Sequence, residues 1–227
     1  MREDARFVHP KDRQRLGLWQ RGLESARRLL RPVAWQVVVK AALLLSFAVA
    51  LTEPFPALET GRDLDVAGLT FGDFVAPLLF LIVNLTSRRY GAGLAFAATC
   101  VSWILLAALV AALVGWRDLA VVEDALGPLT AVGRLAAALA MGELLAIVIF
   151  EAWRGVPWWR APLAASLAGA VIYTMIAAVL VPALRAPLSI DAATNLVLIQ
   201  AIGVAAAMAG YTILRWRVRP LPGLGGR

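Results

Sequence analysis

The sequence predicts an all-α, polytopic membrane protein, with six transmembrane helices in one compact bundle and both termini in the cytoplasm. Three observations predict this fold. Hydrophobic residues make up 61% of the 227-residue chain and charged residues only 16%, where a soluble domain has about a quarter charged. Six apolar stretches are each long enough to cross about 30 Å of hydrocarbon. The basic residues concentrate in alternate connections between these stretches, as the positive-inside rule requires.

The six predicted spans follow one another along the chain with short connections. They lie at 33–52, 66–86, 91–115, 130–152, 162–183 and 189–214. The second span is the weakest, because flexible, charged or helix-breaking residues interrupt its first half, namely Gly68, Gly72, Asp73 and Pro77. The charge bias nevertheless predicts that it crosses the membrane, since leaving it out would move Arg88 and Arg89 to the opposite side.

Lysines and arginines are concentrated in the two terminal segments and in every second loop. Nine precede the first span, two lie in each of the turns 87–90 and 153–161, and four follow the last span, whereas the three alternate loops hold one each. We therefore expect both termini and the even-numbered loops in the cytoplasm of a bacterial cell, with the chain in its inner membrane. Acidic residues are expected on the outer face: Glu53, Glu59, Asp63, Asp65, Asp118, Glu123, Asp124 and Asp191.

The sequence predicts a single transmembrane domain at 33–215, with a polar segment at each end of the chain. Residues 1–32 are expected to form a basic cytoplasmic tail. Within this tail, the stretch 11–31 has apolar residues on one helical stripe, which is typical of a helix lying on an anionic membrane surface. A solvated basic tail is the alternative. Residues 216–227 are rich in glycine and proline, and we expect a flexible cytoplasmic tail there.

Composition argues against several classes of function. The only histidine, His9, lies in the polar tail and Cys100 is the only cysteine, so neither histidine-based catalysis nor a metal site is expected inside the membrane. The formal charge of +7 follows the loops, whereas nucleic acid binding needs one concentrated basic patch. Nothing resembles a P-loop, so ATP would act only through another protein. We expect no enzyme, no cofactor and no nucleic acid partner.

Six residues, one from each span, are predicted to lie near the middle of the membrane. A rise of about 1.5 Å per residue puts them about 13–22 Å from the cytoplasmic boundary. They are Lys40, Asp73, Trp103, Glu143, Tyr173 and Gln200. Ionisable groups at this depth cost a few kcal/mol or more unless they face protein or water. The functional interpretation is a small cavity, in which aromatic rings offer flat surfaces and the acids and the amide hydrogen-bond a planar polar solute.

A structural interpretation of the same residues competes with this cavity. Lys40 would pair with Glu143, and Asp73 with Arg134, so that the charges only lock the helices together. For Trp103, the alternative is an aromatic side chain that faces lipid or fills the core.

The stretch FGDFVAPLLFLIVNLTSRRYGAGLA, at 71–95, runs from an apolar helix into polar and basic residues. It resembles the signature of the vitamin uptake transporter (VUT) family, whose best-understood members are bacterial queuosine-precursor transporters. The matching positions are Leu85, Thr86, Arg89, Tyr90 and Gly91. A second block, at 133–169, is similar to the fourth helix, the basic tryptophan-containing turn and the start of the fifth helix of that family. The resemblance covers about 66–182 and implies uptake of 7-deazaguanine bases.

Departures from the family pattern bear on the substrate. Asn84 replaces the acidic residue that precedes leucine and threonine, and Glu143 stands where a glutamine is usual. Ala170 and Tyr173 stand where the family has an asparagine and an aspartate. Because removing hydrogen-bond partners from such a site changes discrimination by factors of about a thousand or more, the specificity is expected to be shifted or lost.

The leading hypothesis is a transporter that imports a small planar solute, either a queuosine precursor or a related nucleobase or vitamin-like compound. The expected solute-binding residues are Asp73, Asn84, Trp103, Glu143, Tyr173 and Gln200. Asp73 and Glu143 are the candidates to carry a coupling proton. The alternative is a substrate-capture or structural subunit of a larger membrane complex, without autonomous transport. Its partner would be a second copy of the chain or another membrane protein.

Overall fold

The computed structural model describes residues 18–52, 71–116, 129–155, 157–180 and 190–220. Within these ranges every regular element is an α-helix, which confirms the predicted all-α class. Six helices are present: α1 (Leu18–Thr52), α2 (Phe71–Tyr90), α3 (Ala92–Trp116), α4 (Leu129–Ala152), α5 (Arg160–Leu180) and α6 (Ile190–Leu214). Each overlaps one of the six predicted spans. The loops 53–70 and 117–128, where most of the predicted outer-face acids lie, are outside the described residues.

Three of the helices are long and apolar enough to cross a membrane. They are Ala92–Ala112 in α3, Gly133–Ala152 in α4 and Thr194–Leu214 in α6. A shorter apolar stretch, Arg160–Ile176, lies in α5. Large apolar side chains cover the outer faces of α3 and α6, including Ile104, Leu109, Ile202 and Ile213. These features are those of a membrane-embedded protein.

The weakest predicted span, α2, is the centre of the bundle. It packs against all five of the other described helices. Leu78 of α2 is 44% exposed, but the polar side chains of α2 that face the other helices do not have to enter hydrocarbon. This position accounts for the polar composition of α2, where Asp73, Asn84 and Ser87 are all buried.

Glycines on the neighbouring helices allow α2 to approach them closely. A Cβ atom on Gly169 of α5 would lie 2.5 Å from the Phe80 ring, and one on Gly142 of α4 would lie 2.8 Å from the Gly169 carbonyl oxygen. The aromatic ring of α2 therefore fills a space that only glycine leaves open. Such small residues are the common means of close helix packing in membranes.

A single residue, Gly91, joins α2 to α3. Its φ is 83°, in the left-handed region. The Gly91 N–H donates to the Ser87 carbonyl at 2.9 Å, and the Gly91 carbonyl accepts from the Ala95 N–H at 3.1 Å. The residue thus ends one helix and begins the next. A side chain is disfavoured at this φ, so the glycine of the VUT-like stretch has a structural reason to be there.

Replacing Gly91 by alanine is expected to lower the free energy of unfolding by about 1–2 kcal/mol, because alanine is strained in the left-handed region. Gly93→Ala is the matched control, since no atom lies within 4 Å of the position its Cβ would take, and it should be neutral or slightly stabilising. Thermal unfolding of both purified variants in one detergent measures the difference. Equal melting temperatures would contradict the role assigned to the turn.

The structure describes part of both predicted tails, 18–32 and 216–220. α1 runs without a break through the predicted boundary at residue 32, with Pro32 inside the helix. Residues 23–28 are exposed, whereas Gln36 and Lys40 are fully buried, so α1 leaves the bundle towards its N-terminal end. At the other terminus, the segment 216–220 contacts α2, because Arg88 donates to the Val218 carbonyl at 3.3 Å.

Candidate solute-binding site

Hydrogen bonds, together with one ion pair, gather the six predicted mid-membrane residues into two groups of three. One group, called here the lysine group, consists of Lys40, Trp103 and Glu143. The other, called the aspartate group, consists of Asp73, Tyr173 and Gln200. Each group takes its members from three different helices. The six residues therefore form two separate groups, whereas the sequence predicts one shared cavity, which stays a prediction.

Lys40 of α1 is the hub of the lysine group. Its Nζ lies 3.0 Å from Glu143 Oε2 of α4, and it donates to Ser102 Oγ of α3 at 2.6 Å and to Gln36 Oε1 at 3.1 Å. An ammonium group has three N–H donors, so these three contacts use all of them. All four residues are 0% exposed. A buried charge is tolerable only with this degree of compensation.

Trp103 of α3 closes one side of the lysine group. Its Nε1 donates to Glu143 Oε2 at 2.6 Å, and Lys40 Nζ lies 4.8 Å from the centre of the indole ring. The half-buried indole therefore takes part in the polar network through both its N–H and its ring face. The pairing of Lys40 with Glu143, considered from the sequence as a structural alternative, is present in the same network.

Two atoms of this network have no hydrogen-bond partner among the described residues. They are Glu143 Oε1, an acceptor, and Gln36 Nε2, a donor. Both belong to side chains that are bound to the Lys40 ammonium group. A buried polar atom without a partner costs about 1–3 kcal/mol. This cost argues that both atoms find partners when the protein works.

The aspartate group ties the start of α2 to α5 and α6. The Tyr173 hydroxyl donates to Asp73 Oδ1 at 2.6 Å, and Gln200 Nε2 donates to the Asp73 carbonyl at 2.8 Å. All three residues are buried, and Gln200 Oε1 has no partner within the described part of the chain. Asp73 also lies in the first turn of α2, where the helix dipole favours a negative charge. Arg134 is half-buried on α4, and its predicted pairing with Asp73 stays a prediction.

Asn84 joins neither group. It lies about 16 Å from Asp73 along α2, at about 1.5 Å per residue. Its Nδ2 donates to the Pro162 carbonyl at 3.2 Å and to Ser166 Oγ at 2.9 Å. The structure therefore places Asn84 as a link between α2 and α5, apart from the other five predicted solute-binding residues.

The other matched residues of the VUT-like stretch make contacts within the protein. The Thr86 hydroxyl donates to the Ile82 carbonyl one turn earlier, at 2.8 Å. Arg89 Nη1 donates to the Arg219 carbonyl at 3.4 Å. With Gly91 in the turn that follows, these residues organise the end of α2.

Sequence reasoning missed Gln36 and Ser102, which complete the network around Lys40. One signal was available, because Gln36 precedes Lys40 by one helical turn and so lies on the same face. Ser102 is the neighbour of Trp103 in the chain and lies at nearly the same depth. Both residues are uncharged and not aromatic, so neither charge nor ring character distinguishes them in the sequence.

No family model, no curated protein and no solved structure matches the chain. The likeness to the VUT family therefore rests on the residues of the two blocks quoted above.

Proposed function

We propose that this protein is a six-span transporter that imports a small planar solute across a bacterial inner membrane, with both termini in the cytoplasm. The observation that carries the proposal is the lysine group. It combines a buried ion pair, an indole ring, one unpaired acceptor and one unpaired donor in a single network. A solute that entered this network would give both unpaired atoms a hydrogen-bond partner.

The unpaired atoms indicate the chemistry of the solute. Glu143 Oε1 can accept a hydrogen bond from a ring N–H, and Gln36 Nε2 can donate one to a carbonyl oxygen. A ring N–H beside a carbonyl is the amide edge of a guanine-like base. The Trp103 indole offers such a base a flat surface. Queuosine precursors, which are 7-deazaguanine bases, carry this edge, and the resemblance to the VUT family points to the same class.

The conformation fits an occluded state of a transporter. Lys40, Glu143, Gln36 and Ser102 are all 0% exposed, so the solute reaches them only when helices around the group separate. Binding near the midplane, with access alternating between the two sides, is the common scheme of secondary transporters. Asp73 and Glu143 are the carboxylates available to carry a coupling proton.

A substrate-capture subunit of a larger complex is the second candidate. The observation that favours it is the N-terminal part of α1, which is outside the bundle. Leu23 and Leu30 are 61% and 64% exposed there, beside exposed arginines. An amphipathic basic helix of this kind suits a partner protein or a membrane surface.

Counterflow uptake of 7-cyano-7-deazaguanine by the purified protein in liposomes tests the proposal. We expect uptake above that of empty liposomes, and inhibition by guanine. 1-Methylguanine should inhibit poorly, because its methyl group replaces the ring hydrogen that would be donated to Glu143. Equal inhibition by the two bases would contradict the assignment of the amide edge. Absence of uptake, together with a partner that copurifies at fixed stoichiometry, would favour the subunit.

A further inference from the structure

Three arginines surround one tyrosine at the end of the bundle where α2, α4 and α6 finish. Arg88 is in the last turn of α2, Arg154 follows α4, and Arg215 follows α6. Arg88 Nη1 donates to the Tyr211 hydroxyl at 3.5 Å. Arg215 lies over the Trp158 ring, which stacks on Tyr211, and Arg154 donates to the carbonyl of Ser87, the residue before Arg88, at 2.8 Å. These three arginines are called here the arginine cluster.

Aromatic rings hold two of the three arginines of the cluster, Arg154 and Arg215. The Trp158 ring stacks on Tyr211, with the ring planes 5° apart. The Arg215 guanidinium lies 3.7 Å from the centre of the Trp158 ring, and that of Arg154 lies 5.6 Å from the centre of Phe150. A guanidinium that stacks through its face keeps its N–H donors in the plane, where they are available to an oxyanion. The aromatic scaffold therefore preorganises the donors.

The positive charge at this end exceeds what the neighbouring residues neutralise. In the sequence, the segments 84–95, 148–163 and 208–220 contain seven arginines and one acid, Glu151. This acid pairs with Arg154 at 2.6 Å. Arg88 and Arg89 donate to backbone carbonyls, which carry no charge. Arg215 Nε is buried and has no hydrogen-bond partner among the described residues.

We propose that the arginine cluster binds a phosphate group that is carried by an anionic phospholipid. Arginine donors match the oxygens of a phosphate group in geometry and charge. Exposed tryptophans flank the cluster, namely Trp153, Trp159 and Trp216. Tryptophans are enriched at the depth of the lipid headgroups, so they place the cluster where a lipid phosphate lies.

An apolar groove beside the cluster supports a lipid as the source of the phosphate. The groove lies between the start of α3 and the end of α4 and has a volume of about 400 Å³. Phe96, Ile147 and Val148 line it, together with Glu151, the partner of Arg154. The hydrocarbon chain of a lipid can pack in this apolar groove, next to the arginine N–H groups that would bind its phosphate. Free phosphate has no apolar part that would occupy the groove.

Lipid binding to the full-length protein in a non-ionic detergent tests the proposal. The probes are phosphatidylglycerol, phosphatidylcholine and inorganic phosphate, with apparent affinity measured from the shift in melting temperature and from native mass spectrometry. We expect phosphatidylglycerol to bind at least about tenfold more tightly than phosphatidylcholine. Arg215→Gln and Arg88→Gln should each lower the affinity for phosphatidylglycerol by about fivefold. Arg217→Gln is the matched control, because Arg217 is exposed in the same segment and its loss changes the net charge equally.

Two outcomes would overturn the arginine cluster as the binding site. One is an equal affinity for the two lipids, and the other is an equal loss in Arg217→Gln and Arg215→Gln, which would mean a general effect of surface charge. If inorganic phosphate stabilises the protein and phosphatidylglycerol binds no better than phosphatidylcholine, the phosphate bound by the cluster does not come from a lipid. Should Arg215→Gln fail to fold, Arg215→Lys keeps the charge without the planar stacking, and weaker phosphatidylglycerol binding is again the supporting result.

Discussion

Replacing Lys40 by methionine is expected to lower the free energy of unfolding by about 3–5 kcal/mol, because it leaves the buried Glu143 carboxylate without its cation. The two side chains are 0% exposed and 3.0 Å apart. Methionine is similar to lysine in length and shape, so the loss reports the missing charge and hydrogen bonds more than a cavity. Denaturant or thermal unfolding in one detergent measures the change.

The double variant Lys40→Met with Glu143→Leu is expected to recover most of that stability. Replacing both partners of a buried ion pair by apolar residues is often neutral or stabilising, whereas removing one partner is costly. The four proteins form a double-mutant cycle, which isolates the coupling between the two residues. An additive result, with no recovery in the double variant, would contradict the buried ion pair.

An exposed ion pair of α1 supplies the matched control for this cycle. Arg28 and Glu24 lie 3.9 Å apart, and each side chain is 55% exposed. Arg28→Met should change the stability by less than about 1 kcal/mol, because water screens such a pair. If Lys40→Met lowers the free energy of unfolding no more than Arg28→Met does, burial does not strengthen the contribution of the Lys40–Glu143 pair to stability.

Glu143→Ala is expected to reduce uptake of 7-cyano-7-deazaguanine by at least about 100-fold, because the solute loses a charged hydrogen-bond acceptor in a buried site. Uptake is compared per folded protein in liposomes, since the variant also leaves Lys40 without its counter-charge. Glu151→Ala is the control, on the same helix but with an exposed side chain, and it should transport normally. Unchanged uptake in Glu143→Ala would remove Glu143 from the site.

Glu143→Gln provides a finer comparison at the same position. The proposed resemblance to the VUT family puts a glutamine there, and glutamine keeps a carbonyl acceptor of the same reach. We therefore expect this variant to retain more uptake than Glu143→Ala, with an altered preference among guanine-like bases. The same loss in both variants would contradict this expectation and would show that the charge of Glu143 is required.

The helices could be predicted from the sequence, because long apolar runs and the bias of basic residues depend on composition alone. The central position of α2 could not be predicted in this way. Hydropathy identified α2 as the weakest span, but hydropathy says nothing about which helices are neighbours. The structure shows that the polar residues of α2 mark enclosure by protein.

Counting residues along each span puts the six residues at similar depths in the membrane. Depth does not determine how each helix is rotated about its axis. Rotation decides that Lys40, Trp103 and Glu143 meet in one network, while Asp73 meets Tyr173 and Gln200 in another. Asn84 was chosen because it departs from a family pattern. Its position near the end of α2 separates it from both networks, and its hydrogen bonds link α2 to α5.

The central claim is that the lysine group binds the solute and does more than hold helices together. The most direct test is calorimetric binding of 7-cyano-7-deazaguanine to the wild-type protein and to the Lys40→Met, Glu143→Leu double variant. Because the double variant is expected to remain folded, a loss of binding cannot be attributed to unfolding. We predict an affinity at least about 100-fold weaker in the double variant. Equal affinity in two equally stable proteins would contradict the claim.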